Sequence, residues 1–217
     1  MKPEFRPLNS AASPAERRPI SAGLSVALLL GFVAAPAVAQ STIRVSAGIT
    51  AGTDLVDDVV FSRDVQVSQA AAPTLAIAYR MGASSGIRIG AEGRFSKGRV
   101  ETTDRFGTRE GPSFVSASIM AAVDGPVLSA LRWDATAGVI KYLPSSHIEI
   151  LREGGPAYWV VGAGLSWLQP IGDRNALVIG ARYDLHPFIT RAMQSHGFSG
   201  DQRVQRVGIT AGLERTL

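Results

Sequence analysis

The chain has 217 residues, 46% hydrophobic and 18% charged, with 23 glycines, 12 prolines, no cysteine and a formal net charge of +4. This is room for one domain plus a removable leader, and the lack of cysteine excludes disulfides, thiolate metal sites, thiol catalysis and a lipid anchor. The basic pI near 9.8 is no argument for nucleic-acid binding, because part of the excess sits in the first 39 residues.

Those residues read as a secretory signal peptide. Arg17 and Arg18 precede the apolar run Ile20 to Pro36, and Ala37-Val38-Ala39 supplies a small-residue cleavage site, so a cut after Ala39 is expected. Residues 1–39 take four basic and two acidic side chains with them, which lowers the net charge from +4 to +2. No later segment approaches eighteen uninterrupted apolar residues. The remainder can therefore cross a membrane only as a closed barrel, which leaves no backbone group unpaired in lipid.

Eight strands are expected over 40–217, each with a period of two. The first runs from Ile43 to Thr53 and the second from Thr74 to Met81. The third, Ile87 to Ser96, sets Ile87, Ile89, Ala91, Gly93 and Phe95 against Arg88, Gly90, Glu92, Arg94 and Ser96. Ser113 to Val123, Leu128 to about Tyr142, Tyr158 to Leu168, Ala176 to His186 and a last strand reaching the end of the chain continue the pattern. Short connections rich in Gly, Pro, Ser and Asp are expected at 83–86, 124–126 and 169–174. Long polar loops are expected at 54–73, 97–112, 144–157 and 187–202. Short turns on one rim and long loops on the other is the arrangement of an outer-membrane barrel, with periplasmic turns and extracellular loops.

Alternation alone does not separate a membrane barrel from a soluble one with its faces exchanged. Three features favour the membrane. The polar face carries Arg44, Arg80, Arg88, Arg94, Arg132, Arg182 and Arg206 with Glu92, Asp134, Asp184 and Glu214, while only Lys97 and Lys141 follow residue 39. Arginine forks among carboxylates and small residues suit a narrow lumen where each charge must find partners. Tyr79, Phe95, Trp133, Trp159, Trp167 and Tyr183 fall on the apolar face toward strand ends, where an aromatic girdle at the lipid headgroups belongs. Strands of nine to eleven residues match a tilted crossing of the hydrocarbon. The fold class expected is all-β, an eight-stranded antiparallel up-and-down transmembrane β-barrel.

With this signal peptide, strand count and alternation of connections, the chain resembles the small outer-membrane barrels of the OmpA and OmpX kind. The resemblance implies outer-membrane lipid and lipopolysaccharide as surroundings, and the barrel-assembly machinery as a partner during insertion. Gly212, Leu213 and Leu217 fit the terminal assembly signal of such proteins loosely, and Arg215 stands where an apolar residue is common.

Three functions remain open at this stage. One is a structural or surface-interaction role through the long loops, around a charge-filled lumen. Another is a narrow ion channel, if that lumen admits water. The third is lipid A modification, since some eight-stranded barrels are acyl hydrolases or acyltransferases; Ser145, Ser146, His147 and Glu149 cluster in one long loop, but triad chemistry needs a geometry that adjacency does not supply. His186, just before Pro187, reads as a rim residue. No histidine pair has metal-ligand spacing and no phosphate-binding glycine loop is present, so neither a metal nor a cofactor is expected. Lys141 and Arg215 lie on the outer face near the rims, placed to reach headgroup phosphates.

Overall fold

The computed structural model describes residues 40–60, 63–83, 85–104, 107–145, 157–189, 194–195 and 202–217. The expected leader, Ser146, His147, Glu149 and His196 lie outside the described residues. Ten strands are present: β1 (Gln40–Gly52), β2 (Val56–Val60), β3 (Arg63–Gln69), β4 (Ala72–Gly82), β5 (Arg88–Asp104), β6 (Gly107–Pro126), β7 (Leu131–Pro144), β8 (Ala157–Pro170), β9 (Asn175–Phe188) and β10 (Gln202–Thr216).

Eight of them close an antiparallel barrel in the order β5-β4-β1-β10-β9-β8-β7-β6, with β6 pairing back onto β5. Following the register once around, from Gln40 through Gly82, Arg88, Asp124, Asp134, Gly164, Arg182 and Gly208, the path returns to β1 at Thr50, ten residues higher. With about 3.3 Å per residue and about 4.8 Å per strand, that stagger tilts the strands by roughly 40°. Eight strands at this tilt enclose a space that side chains can fill. The tilt also brings inward residues of non-adjacent strands to one level, which decides what meets inside.

The outer phase is apolar and uncovered. Ile119 is 71% exposed and Ile89 and Ile209 are 64% exposed, and Leu75, Ile77, Val139, Leu165 and Leu213 share that face. A belt of this extent around a whole molecule is a surface made for an apolar solvent.

Two of the expected loops are strands. Residues 54–73 contain the β2–β3 hairpin, and β3 pairs Gln66 to Gln69 with Thr103 to Val100 of β5. In 97–112, β5 and β6 continue past a bulge between Arg99 and Glu101 until Asp104 faces Gly107, which has a φ of +118°. The charged residues of these segments hid their period of two, which shows in Val65 and Val67 between Asp64, Gln66 and Ser68 of β3. The expected turn at 124–126 is also strand: β6 reaches Pro126, and the chain turns at 127–130, where the Val127 and Leu128 amides donate to the Leu131 carbonyl. Asp-Gly-Pro is turn composition, but the pairings of Asp124 with Asp134 and of Pro126 with Arg132 hold it in the wall.

Candidate functional site

The lumen is the one place where chemistry-bearing side chains converge among the described residues, and it is built in two layers. The lower layer, toward the rim of short turns, is ionic. Asp124 of β6 accepts from Arg88 Nε and Nη2 at 2.8 and 3.1 Å and from Arg132 Nε and Nη2 at 2.9 and 2.8 Å. Arg80 Nε stands 3.4 Å from its other oxygen. Arg88 also reaches across to β10, donating to Glu214 at 2.6 Å, and Glu214 takes Arg44 Nη2 at 2.6 Å. Arg80 links this group to the next, donating to Glu92 at 2.9 Å. Glu92 further accepts from Arg94 at 2.7 Å and Arg182 at 2.5 Å; Arg94 binds Asp184 at 2.5 Å, and Arg182 binds Asp134.

Six arginines and five carboxylates thus form one continuous network. Its members are almost wholly buried, with side-chain exposures of 2–13%. Each guanidinium and carboxylate costs several kcal/mol to bring out of water, and multiple charge-assisted bonds per group offset that. Local sequence makes the room: a methyl group on Gly162 would stand 2.1 Å from an Asp184 oxygen, and one on Gly164 would stand 2.7 Å from an Asp134 oxygen. Glycines of β8 therefore seat the carboxylates of its two neighbours. A cavity of about 40 Å³ remains beside the network, lined by Arg44, Glu92, Arg94, Asp134, Ser166 and Arg182 among others. It has room for a few waters.

Of the residues expected in the luminal network, Arg44, Arg80, Arg88, Glu92, Arg94, Arg132, Asp134, Arg182, Asp184 and Glu214 are brought together. Arg206 is not. It is buried on the inner face but joins no ion pair among the described residues, its hydrogen bond running from Nη1 to Ser116 Oγ at 3.3 Å. Asp124, the residue that sequence reasoning placed in a turn, holds two arginines by hydrogen bonds and a third by an ion pair. Its phase was the available signal, because it continues the inward series Phe114, Ser116, Ser118, Met120, Ala122.

The upper layer, toward the rim of long connections, is apolar. Phe114, Tyr142, Tyr158, Val160, Phe188 and Val204 pack inside the barrel with Leu55, Val100, Met120 and Ile140. The Tyr142 ring lies 5.4 Å from Phe114 and 5.2 Å edge-on to Phe188, distances at which aromatic pairs attract. His186, expected at the rim, is fully buried here. Its Nδ1 donates to the Pro187 carbonyl at 3.0 Å, so Nε2 of the neutral ring accepts from the Tyr142 hydroxyl, also at 3.0 Å. Tyr158 donates to the Ile189 carbonyl at 2.7 Å. Every ring heteroatom in this stopper has a partner, which lets polar tips enter an apolar plug.

On the outside, Tyr79, Phe95, Trp159, Trp167 and Tyr183 are 40–56% exposed on the apolar face. Tyr79 and Trp167 lie near the short-turn ends of β4 and β8, Trp159 near the opposite end of β8, and Phe95 and Tyr183 nearer mid-strand. Trp133 is half-buried, its indole against Gly125, where a methyl group would stand 2.8 Å from Nε1. The Tyr79 hydroxyl shares a hydrogen bond of 2.9 Å with Ser41. Among the described residues no cluster of three or more His, Asp or Glu could hold a metal ion.

No protein-family model matches the chain, and no curated protein matches it in sequence. Solved structures do match in shape. The outer membrane protein OprG from Pseudomonas aeruginosa superposes with a TM-score of 0.54 at 8% identity, over 82% of this chain and 95% of that one. Neisserial surface protein A gives 0.51 at 11% identity, over 81% and 96%. Outer membrane protein AlkL, solved in lipid bilayers, gives 0.50 at 13% identity, over 86% and 95%. At such identities the likeness carries the fold and nothing further, and with the closed register and the apolar exterior it makes this chain a small eight-stranded β-barrel of the outer-membrane kind.

Proposed function

We propose that the protein is exported, cleaved after Ala39 and inserted in an outer membrane as a sealed barrel. Its role is structural or interactive at the cell surface, and the described lumen is not a conduit. The observation that carries this reading is the double filling of the lumen, an ionic layer below and an aromatic stopper above, both buried. A filled interior frees the wall to act as a rigid mount. On it, β5 and β6 run beyond the neighbouring strands and take β3 and β2 onto their edge, a four-stranded blade at the rim of long connections. Rigid scaffolds presenting such extensions are where recognition is concentrated. Lys141, exposed on the outer face near that rim, is placed to meet lipopolysaccharide phosphate.

Three readouts test the proposal together. A closed barrel in the outer-membrane fraction migrates differently before and after boiling in detergent, and its N-terminus reads Gln40. In a planar bilayer it passes no steady current, whereas stepwise conductance would overturn the sealed lumen. Lipid A from cells with and without the protein has the same acyl pattern; a changed pattern would overturn this reading in favour of lipid A modification.

A further inference from the structure

Arg206 stands at the seam between the two luminal layers. It is 4% exposed, and its Nε and Nη2 have no hydrogen-bond partner. Asp184 is directly across on β9, yet no ion pair joins the two: its Oδ2 accepts from Arg94 at 2.5 Å, while its Oδ1 lies 3.6 Å from Arg182 Nε and has no hydrogen-bond partner. Among the described residues the lumen as a whole has a surplus: seven buried or nearly buried arginines against the five carboxylates Glu92, Asp124, Asp134, Asp184 and Glu214. A buried guanidinium without an anion is unfavourable by far more than a missing hydrogen bond, and water supplies acceptors but no charge.

Several polar groups around Arg206 are left idle. Ser116 Oγ takes its Nη1, and Ser96, paired with Ser116 across β5 and β6, has an unpartnered hydroxyl at 2% exposure. The Gln69 amide is unpartnered at 4% exposure. Its oxygen and Arg206 Cγ each lie 3.5 Å from where a methyl on Gly52 would stand, so the two side chains run past one corner of the lumen. The cavity of about 40 Å³ begins just below, at Thr50 and Gly208, and Arg94, whose Nε is also unpartnered, lines it.

We infer that the lumen holds a small monovalent inorganic anion at this seam, halide-sized, bound by Arg206 with the Ser96 and Ser116 hydroxyls and the Gln69 amide. Such an ion offsets one of the two excess positive charges and satisfies donors on four strands. It ties β3 of the blade to the barrel through Gln69.

The test uses the whole barrel refolded into detergent micelles and two probes, chloride and bromide, at constant ionic strength with sulfate as the balancing salt. The melting temperature of the native protein rises by a few degrees as halide replaces sulfate, and saturates, as for any ligand that binds only the folded state. In Arg206→Met the rise disappears. Crystals grown in bromide show an anomalous peak beside Arg206, a readout that stands even if the variant fails to refold. A halide effect undiminished in Arg206→Met, no halide-specific rise, a bromide peak only elsewhere, or a carboxylate of the chain's own long connections on Arg206 would each overturn the inference.

Discussion

The lower half of the lumen is filled by eleven charged side chains that depend on one another, and the upper half by apolar side chains that need only fit. Both halves fill the same narrow space. They differ in how error spreads. An ion pair that loses one member leaves the other buried and charged, whereas an apolar contact that loses a methyl leaves a small void. The ionic half is therefore the brittle one, and the stopper is the one that can vary.

The contrast can be broken most sharply at Asp124. Asp124→Ala takes one carboxylate from Arg88, Arg132 and Arg80 at once, leaving Glu214 to Arg88 and Glu92 to Arg80, and should lower stability by about 3–5 kcal/mol, the cost of breaking a buried pair from one side. Urea unfolding in detergent micelles, followed by tryptophan fluorescence, measures it; a loss near zero would mean that water already solvates these arginines and that the layer is not a packed network.

The stopper gives smaller, graded losses. Tyr142→Phe removes the donor to His186 Nε2 without changing shape, and should cost about 1–2 kcal/mol for the acceptor left unsatisfied. Ile140→Val, a single methylene in the same cluster, should cost about 1 kcal/mol. Neither should open a conductance, because the ionic layer below remains. If Tyr142→Phe alone admits current in a planar bilayer, the stopper and not the network is the seal.

How much of this could be read from the sequence follows from the same contrast. Where the lumen is ionic, apolar and polar residues alternate cleanly, so Arg44, Glu92, Arg182 and the rest were legible. Where the lumen is aromatic, both faces of a strand are apolar and the alternation vanishes. Tyr142, Tyr158 and Phe188 therefore gave no inward signal, and His186 looked like a rim residue although its phase, continuing Arg182 and Asp184, points inside. Asp124 was lost to turn composition. A charge count would have pointed to it, because seven inward arginines against four recognised carboxylates call for further anions, and Asp124 is one. The blade was missed for a third reason. Charged residues interrupt the alternation there, and the pairing of β3 with β5 joins residues far apart along the chain.

The blade also provides the weakest perturbation and a control for the others. Arg99 and Glu110 face each other across β5 and β6 at 2.6 Å, with side chains 62% and 70% exposed. The Coulomb term there acts through water and is screened by salt, and exposed pairs of this kind contribute about 0–1 kcal/mol. Arg99→Ala should move the urea midpoint by less than about 0.5 kcal/mol at low salt and by nothing measurable at about 1 M salt, where the Debye length falls to about 3 Å. Asp124→Ala should show its full loss at both salt concentrations, since its partners are buried. If high salt relieves the Asp124 variant as it relieves Arg99→Ala, ions reach the lumen freely, and the ionic layer is a hydrated passage rather than a seal.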